Sequence, residues 1–447
     1  MARQRLPAPE KLRPTTVRQL LHCVLRFIAQ EEPVSTVAAP KLNAEACLER
    51  YRAVRAASEA MCAGLEPAEY RLQPIGEVSP PWWNLGHTSW FFARNVLRAF
   101  GGAWTDQDEQ YDYLLNSYYA SLGERLARER RGLVTRPTTE EIYAYRRSVD
   151  ERIEALVASL DDERLDEMLA VLRIGIEHEQ QHQELFFTEI KYILFQNPPA
   201  LRRTFHLQPA VDASPPGEMT FREFENGLFE FGYPGDDWCW DNELPVHTQY
   251  LQPFALANRL ITCGEYLEFI DDGGYQNQLL WLDNGWRHRE LDAWRAPLYW
   301  EWIDGGWQVF TLHGQQALDV NAPVSHVSFY EADAFARWRA ETYRDESAVR
   351  LPREFEWEHA ARASGEMQQM HRVLWQWTQS YYEPYPGYRP FPGALAEYNG
   401  KFFDNQRVLR GGSQATPENH YRITYRNFWS AHTRFQFTGI RLARDIT

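Results

Sequence analysis

Two histidines, His178 and His182, sit in the polar stretch His178-Glu179-Gln180-Gln181-His182-Gln183-Glu184 of an otherwise apolar run. On a helix, residues i and i+4 share a face, with Cβ atoms roughly 5–6 Å apart, so the two imidazoles can bind one metal ion. Surface histidines at this spacing are also common, and a metal needs a third ligand. His87 offers one, inside Trp82-Trp83-Asn84-Leu85-Gly86-His87-Thr88-Ser89-Trp90. Its neighbours are large and apolar; taken alone it reads as a core histidine bonded to a backbone carbonyl. Taken with the other two it completes a facial site, and three neutral imidazoles suit Zn(II), Fe(II), Cu or Ni. Open remaining positions would make such a site catalytic. Glu184 is expected as the acceptor that orients a ligand histidine. Asn116-Ser117-Tyr118-Tyr119 could add a hydroxyl. On a helix, adjacent side chains point about 100° apart, so one tyrosine can face the site while the other flanks it. Ordinary aromatic packing explains the pair equally well.

These residues need rigid elements to converge. Leu172–Phe195 reads as one long helix, with Ile174, Ile176, Leu185, Ile190 and Ile193 apolar and no Pro or Gly after Gly175. Helices are also expected over Ala44–Leu65, Trp83–Phe100, Tyr111–Arg130, Thr139–Leu160 and Asp162–Gln196, with Thr138 and Glu141 forming a capping box. Antiparallel helices of this length form a bundle and build metal sites from inward side chains. After Gln208, Gly, Pro, Trp and Tyr become frequent. Short β-rich pieces follow at Leu228–Tyr233, His247–Leu256, Trp307–Thr311 and Val408–Gly411, and only Thr262–Asp271 and Tyr330–Thr342 look helical. The expected organisation is an extension over 1–42, a helical bundle with the metal site over 43–208, a linker over 209–225 and a mixed α/β, loop-rich domain over 226–447. Loops of such a domain commonly carry binding residues.

The chain has 447 residues, 44 % of them hydrophobic, and 17 Trp, enough for two sizeable cores. A net charge of −15 argues against a nucleic-acid binder, which needs clustered Lys and Arg to neutralise phosphates. Cys23, Cys47, Cys62, Cys239 and Cys263 show no CxxC pair, which fits a reducing cytoplasm. Arg18, His22 and Arg26 interrupt the apolar run Val17–Ala29, so it does not read as a secretory segment. No run of about 18 apolar residues exists, so no membrane span is expected.

The separated motifs resemble those of the nonheme-iron sulfoxide synthases of ergothioneine and ovothiol biosynthesis and of their relative, selenoneine synthase. The resemblance covers nearly everything after about residue 43 and includes the His87, Asn116–Tyr119 and His178–Glu184 segments. In the C-terminal part it includes Trp375-Gln376-Trp377-Thr378, Tyr398-Asn399-Gly400-Lys401-Phe402, Leu409-Arg410-Gly411-Gly412-Ser413, Tyr425-Arg426-Asn427-Phe428 and Gly439-Ile440-Arg441-Leu442-Ala443. It implies a DinB-like bundle followed by a formylglycine-generating-enzyme-like, C-type-lectin-related domain, with the active site between them. It implies Fe(II) on His87, His178 and His182, O2 as co-substrate, and hercynine as acceptor, held in part by Gln181 and Asn427. Tyr118 or Tyr119 matches the catalytic tyrosine of one branch. Phe428 and Trp429 offer aromatic faces for the quaternary ammonium of hercynine.

Two segments depart from the common ergothioneine-type pattern. Trp82-Trp83-Asn84-Leu85-Gly86 replaces Lys-Trp-His-Leu-Ala, and Trp429-Ser430-Ala431-His432-Thr433-Arg434-Phe435 replaces a loop with Phe-Pro-Pro and a later Arg-Trp. Aromatic and small polar residues at the mouth would suit a neutral selenosugar, which favours the selenoneine branch and makes Trp82, Asn84 and Arg434 substrate-binding candidates. The alternative is a hercynine sulfoxide synthase using γ-glutamylcysteine or cysteine, whose carboxylates Arg125, Arg131, Arg422 or Arg434 could bind. A formylglycine-generating oxidase would need a cysteine pair late in the chain, and no cysteine follows Cys263. A Zn(II) thiol transferase of the DinB type could use the three histidines without the second domain.

Overall fold

The computed structural model describes residues 43–207, 216–343, 349–363 and 367–446. The expected extension over 1–42 and the first part of the expected linker lie outside them. The first helix, α1 (Ala44–Cys62), is capped by the Asn43 side chain. Helix α2 (Pro81–Phe92) starts with proline at its first turn, where no backbone donor is needed, and continues through a π turn at Ala93–Leu97. Helix α3 (Asp106–Leu115) is followed by α4 (Thr139–Val157), where Thr138 and Glu141 form the expected capping box. The long helix α5 (Asp162–Phe195) is buried along most of its last two thirds. Helix α2 packs against α3, α4 and α5, and α1 lies along α5. Gly175 is the close approach: a Cβ there would meet Phe92 Cε1 at 2.3 Å.

A buried charge network pins the helices. Glu179 on α5 accepts from Arg55 Nη1 of α1 and from Arg146 Nη2 of α4, both at 2.9 Å. Each of the three side chains is at most 4 % exposed.

The expected helix over Tyr111–Arg130 is corrected: α3 stops at Leu115, and only short 3-10 turns follow at Ala120–Leu122 and Arg128–Leu133. Asn116 ends it. Its Oδ1 accepts from the Tyr119 amide and its Nδ2 donates to the Tyr119 carbonyl, each at 3.0 Å, so the side chain replaces helical hydrogen bonds. Gly123, at φ 122°, then takes a conformation that excludes the helix.

The C-terminal half holds β1 (Phe221–Phe224), β2 (Gly227–Phe231), β3 (His247–Leu251), β4 (Phe254–Ala257), β5 (Trp300–Ile303), β6 (Gly306–Thr311), β7 (Gly314–Ala317), β8 (Val349–Arg350), β9 (Trp375–Tyr381), β10 (Gln406–Arg410), β11 (Asn427–Ser430), β12 (Thr438–Gly439) and β13 (Ala443–Asp445). They form sheets in the orders β1-β4-β13-β8, β11-β10-β9-β12, β2-β3 and β5-β6-β7. The stretch expected as linker therefore includes β1, which pairs antiparallel with β4 from Phe221↔Ala257 to Phe224↔Phe254. Helices α6 (Cys263–Asp271) and α8 (Phe329–Thr342) match the two expected. Two more appear, α7 (Asp283–Leu291) and α9 (Glu354–Arg362). Helix α7 has no side-chain cap and a glycine near its start. Packing holds it instead, since a Cβ on Gly285 would meet Tyr330 Cβ at 2.7 Å. No described helix is long and apolar enough to cross a membrane.

Candidate active site at three buried histidines

Helix α5 carries His178 and His182 one turn apart, and α2 crosses it so that His87 faces both. Their ligand-capable nitrogens all lie within 4.8 Å of one another. His87 Nδ1 donates to the Leu115 carbonyl at 2.6 Å, which leaves Nε2 as the lone-pair atom, buried and without a hydrogen-bond partner. His182 Nδ1 meets Asn84 Oδ1 at 3.0 Å, and its Nε2 lies 3.1 Å from that of His178. Asn84 is itself oriented, because its Nδ2 donates to Glu189 Oε2. Burial holds all three imidazoles neutral: it lowers His182 to about 3 and His87 and His178 well below the usual range. Three neutral imidazoles with lone pairs turned inward, one of them orphaned, are a donor set that fits a divalent transition metal.

A cavity of about 270 Å³ opens on this cluster between the bundle and the C-terminal half. His178, His182, Asn84, Gln181, Tyr118, Asn427, Phe428 and Trp429 line it. His87 and Tyr119 stand behind the wall, both buried, with Tyr119 stacked on Tyr118 at 4.6 Å. Because Tyr118 and Tyr119 lie in the turn after α3, not on a helix, their rings stack instead of diverging. Trp82 and Arg434 are not brought to the cavity. Trp82 is fully buried beneath the Arg71 guanidinium, 4.5 Å from its ring. Arg434 pairs with Glu331 at 2.8 Å.

Gln181 is held from both sides: Tyr398 donates to its Oε1, and its Nε2 donates to the Tyr425 hydroxyl at 2.5 Å. Tyr398 is a cavity residue the sequence reading missed as a functional candidate. Its ring lies 5.6 Å from that of His178, and burial raises its hydroxyl well above the usual range. The motif Tyr398-Asn399-Gly400-Lys401-Phe402 was the signal available for it. Glu184 does not orient a histidine, which corrects that expectation. It accepts from Trp375 Nε1, Ser413 Oγ at 2.9 Å and Thr416 Oγ1 at 2.7 Å, tying α5 to the C-terminal half.

The four candidate arginines separate. Arg422 pairs with Glu243 at 2.5 Å, Arg434 is occupied by Glu331, and Arg125 is exposed outside the cavity lining. Arg131 is buried in the wall with its guanidinium 3.3 Å over the Trp83 ring. Its hydrogen-bond partners are Ser79 Oγ and Ser117 Oγ, and its Nε has none. No carboxylate among the described residues pairs with it; burial, reinforced by Arg128, pushes against its charged form. Arg128, unmarked in the sequence, lines the cavity at its exposed edge.

The DinB superfamily matches residues 50–186, and the sulfatase-modifying factor enzyme 1-like domain matches 213–373 and 366–446. The hercynine oxygenase of Mycolicibacterium smegmatis is 30 % identical over 321 residues, covering 61 % of this chain and 71 % of that protein. The chain belongs to the hercynine oxygenase family. The hercynine oxygenase of Mycolicibacterium thermoresistibile is 28 % identical over 437 residues, 85 % of this chain and 91 % of that protein. That of Mycobacterium tuberculosis is 29 % identical over 320 residues, 62 % of this chain and 72 % of that protein. Within the hercynine oxygenase family frame, both domain types of the expected fold are present, a DinB-like bundle and a sulfatase-modifying-factor-like domain.

Proposed function

We propose that this chain is an O2-dependent nonheme Fe(II) enzyme that joins the sulfur of a carboxylate-bearing thiol to the imidazole C2 of hercynine. The convergence of three neutral buried histidines on one point of the cavity carries this reading. His87, His178 and His182 would hold Fe(II), which when bound would supply the O2 chemistry. Overall, the imidazole C–H and the S–H bonds break, a C–S bond forms, one oxygen atom of O2 ends on sulfur and the other leaves as water. Gathering acceptor and donor in one enclosed site makes their encounter effectively intramolecular.

The chain's own residues take separate parts. Phe402, Phe428 and Trp429 line the cavity and present ring faces to a trimethylammonium group. Asn427 lies at the start of β11 beside them. Tyr118, which lines the cavity, is the candidate for the proton, while Tyr398 positions Gln181 by donating to its Oε1. The Tyr398 ring lies 5.6 Å from that of His178 and stacks on Trp240, and the Tyr118 ring packs on Tyr119, Tyr398 and Phe402. Burial raises the Tyr118 hydroxyl above the usual range, so it stays protonated at neutral pH and can donate to a developing oxygen anion.

Arg131 and Arg128 support the thiol donor over the selenosugar. A buried guanidinium without a carboxylate partner is costly and is relieved by an anionic ligand. A neutral selenosugar would leave it unmatched. The test is anaerobic loading with Fe(II), then O2 and hercynine with γ-glutamylcysteine, cysteine or selenoglucose in competition, read by mass spectrometry. A hercynine–thiol sulfoxide as the main product is expected, and Arg131→Met should weaken the thiol's KM about tenfold or more. A selenium adduct formed in preference would overturn the donor assignment and restore the selenoneine reading. No hercynine adduct with any donor would overturn the whole.

A further inference from the structure

A second cavity, of about 440 Å³, lies further along α5 beneath the β5-β6-β7 sheet and shares no residue with the first. Apolar residues such as Trp300, Leu312, Leu374 and Phe437 line it, and exposed His313, Gln316 and Asp319 stand at its rim. Lys191 of α5 and His326 also line it. Both are buried, and Lys191 Nζ lies 2.8 Å from His326 Nε2. The amine otherwise faces rings, with Tyr299 at 4.3 Å and Phe437 at 5.4 Å, and none of its ion pairs with an acid is present among the described residues.

Two further observations mark this place. Tyr299 and His326 have φ of 76° and 61°, a left-handed conformation unfavourable for bulky side chains. The side chains of both strained residues meet the lysine, and strain held in this way clusters at functional sites. The Tyr299 hydroxyl is also buried without a partner. The second observation is the lysine itself. Of the 47 Lys and Arg residues only four are lysine, at 11, 41, 191 and 401. Where a buried acid of this chain has a cationic partner, as at Glu179 and Glu354, the partner is arginine. A carboxylate ligand would be met better by arginine's fork; what lysine alone offers is a neutral, nucleophilic amine.

We propose that this cavity is a second ligand site, in which Lys191 condenses reversibly with the carbonyl carbon of a small, mainly apolar aldehyde. The amine lone pair adds to the carbonyl carbon and a C–N bond forms. His326 Nε2 carries protons from nitrogen to the departing oxygen; the C–O bond breaks, water leaves and C=N remains, with no net redox change. Burial brings the lysine down to about 7, so a large share of it is neutral near neutral pH, as an amine nucleophile in an apolar pocket requires.

The full-length protein is incubated with benzaldehyde and cyanoborohydride at neutral pH, and its lysines are mapped by peptide mass spectrometry. Lys191 is expected to be benzylated about tenfold or more faster than Lys401, because reaction follows the fraction of neutral amine. Lys401 pairs with Glu397 at 2.6 Å and serves as the internal reference. His326→Gln keeps a hydrogen-bonding side chain and should slow trapping at Lys191 severalfold while leaving Lys401 unchanged. Labelling of Lys191 no faster than Lys401 in the wild type overturns the proposal. Equal trapping with hydrophilic glyoxylate also overturns it, since that marks an accessible amine instead of an apolar site.

Discussion

The amide of Asn84 is fixed at both ends, its Nδ2 on Glu189 and its Oδ1 on Nδ1 of His182, so it sets which nitrogen of that imidazole keeps its lone pair. Partners of this kind are commonly worth 10–100-fold in metal affinity. Asn84→Ala is therefore expected to weaken Fe(II) binding about 10–100-fold with the fold retained, as read by chelator competition and far-ultraviolet circular dichroism. Glu189 adds a pH dependence. Burial raises its carboxyl from the ordinary 4.5 to about 7. The folded state then holds this proton where the unfolded chain has lost it, so stability falls as pH rises from 4.5 to 7 and is flat above. Glu189→Gln should remove up to about 3 kcal/mol of that slope, measured by urea unfolding of metal-free protein across this range.

Helices α1, α4 and α5 meet at Glu179, a carboxylate next in sequence to His178 but turned about 100° away from it, onto Arg55 and Arg146. The two guanidiniums hold it down at about 2 against the effect of burial. Its contribution is present above the ordinary carboxylate range and is lost as pH falls from 4.5 towards 2. Glu179→Gln leaves Arg55 and Arg146 short of a partner and is expected to cost about 3–5 kcal/mol, read as a lower urea midpoint. The periodicity of α5 was visible as apolar positions, and Thr138 with Glu141 announced α4. The end of α3 was not visible as periodicity, because the residues after Leu115 remain mixed polar and aromatic. What ends the helix is the Asn116 side chain bonding to the Tyr119 backbone, a local competition that hydrophobic spacing does not register.

Across the molecule, one face of α5 joins the two halves through a row of polar contacts. Glu177 meets His420 Nδ1 at 2.6 Å, Gln180 donates to Asn419 at 2.7 Å, Gln181 is held by Tyr398 and Tyr425, and Glu184 takes three donors. With so much buried hydrogen bonding shared, the halves should unfold together in a single calorimetric transition. Glu184→Ala strands the Trp375, Ser413 and Thr416 donors and is expected to cost at least about 3 kcal/mol, splitting or broadening that transition. An unchanged single peak would mean the seam carries little of the coupling.

The residue types of the triad, the long helix that presents two of its members, and the change from bundle to aromatic-rich mixed domain were all legible in the chain, because helical periodicity and composition are local properties. The partners were not. Glu184 and Glu179 look alike in the sequence, yet one binds the opposite domain and the other the bundle's arginines. Arg131, Arg422 and Arg434 look equally available, yet only Arg131 is left facing the cavity without an acid. Which charges find partners depends on segments more than a hundred residues apart, such as Glu243 with Arg422 or Glu331 with Arg434. Sequence determined the donor atoms of the site; tertiary packing decided which of the surrounding charges remain free to meet a ligand.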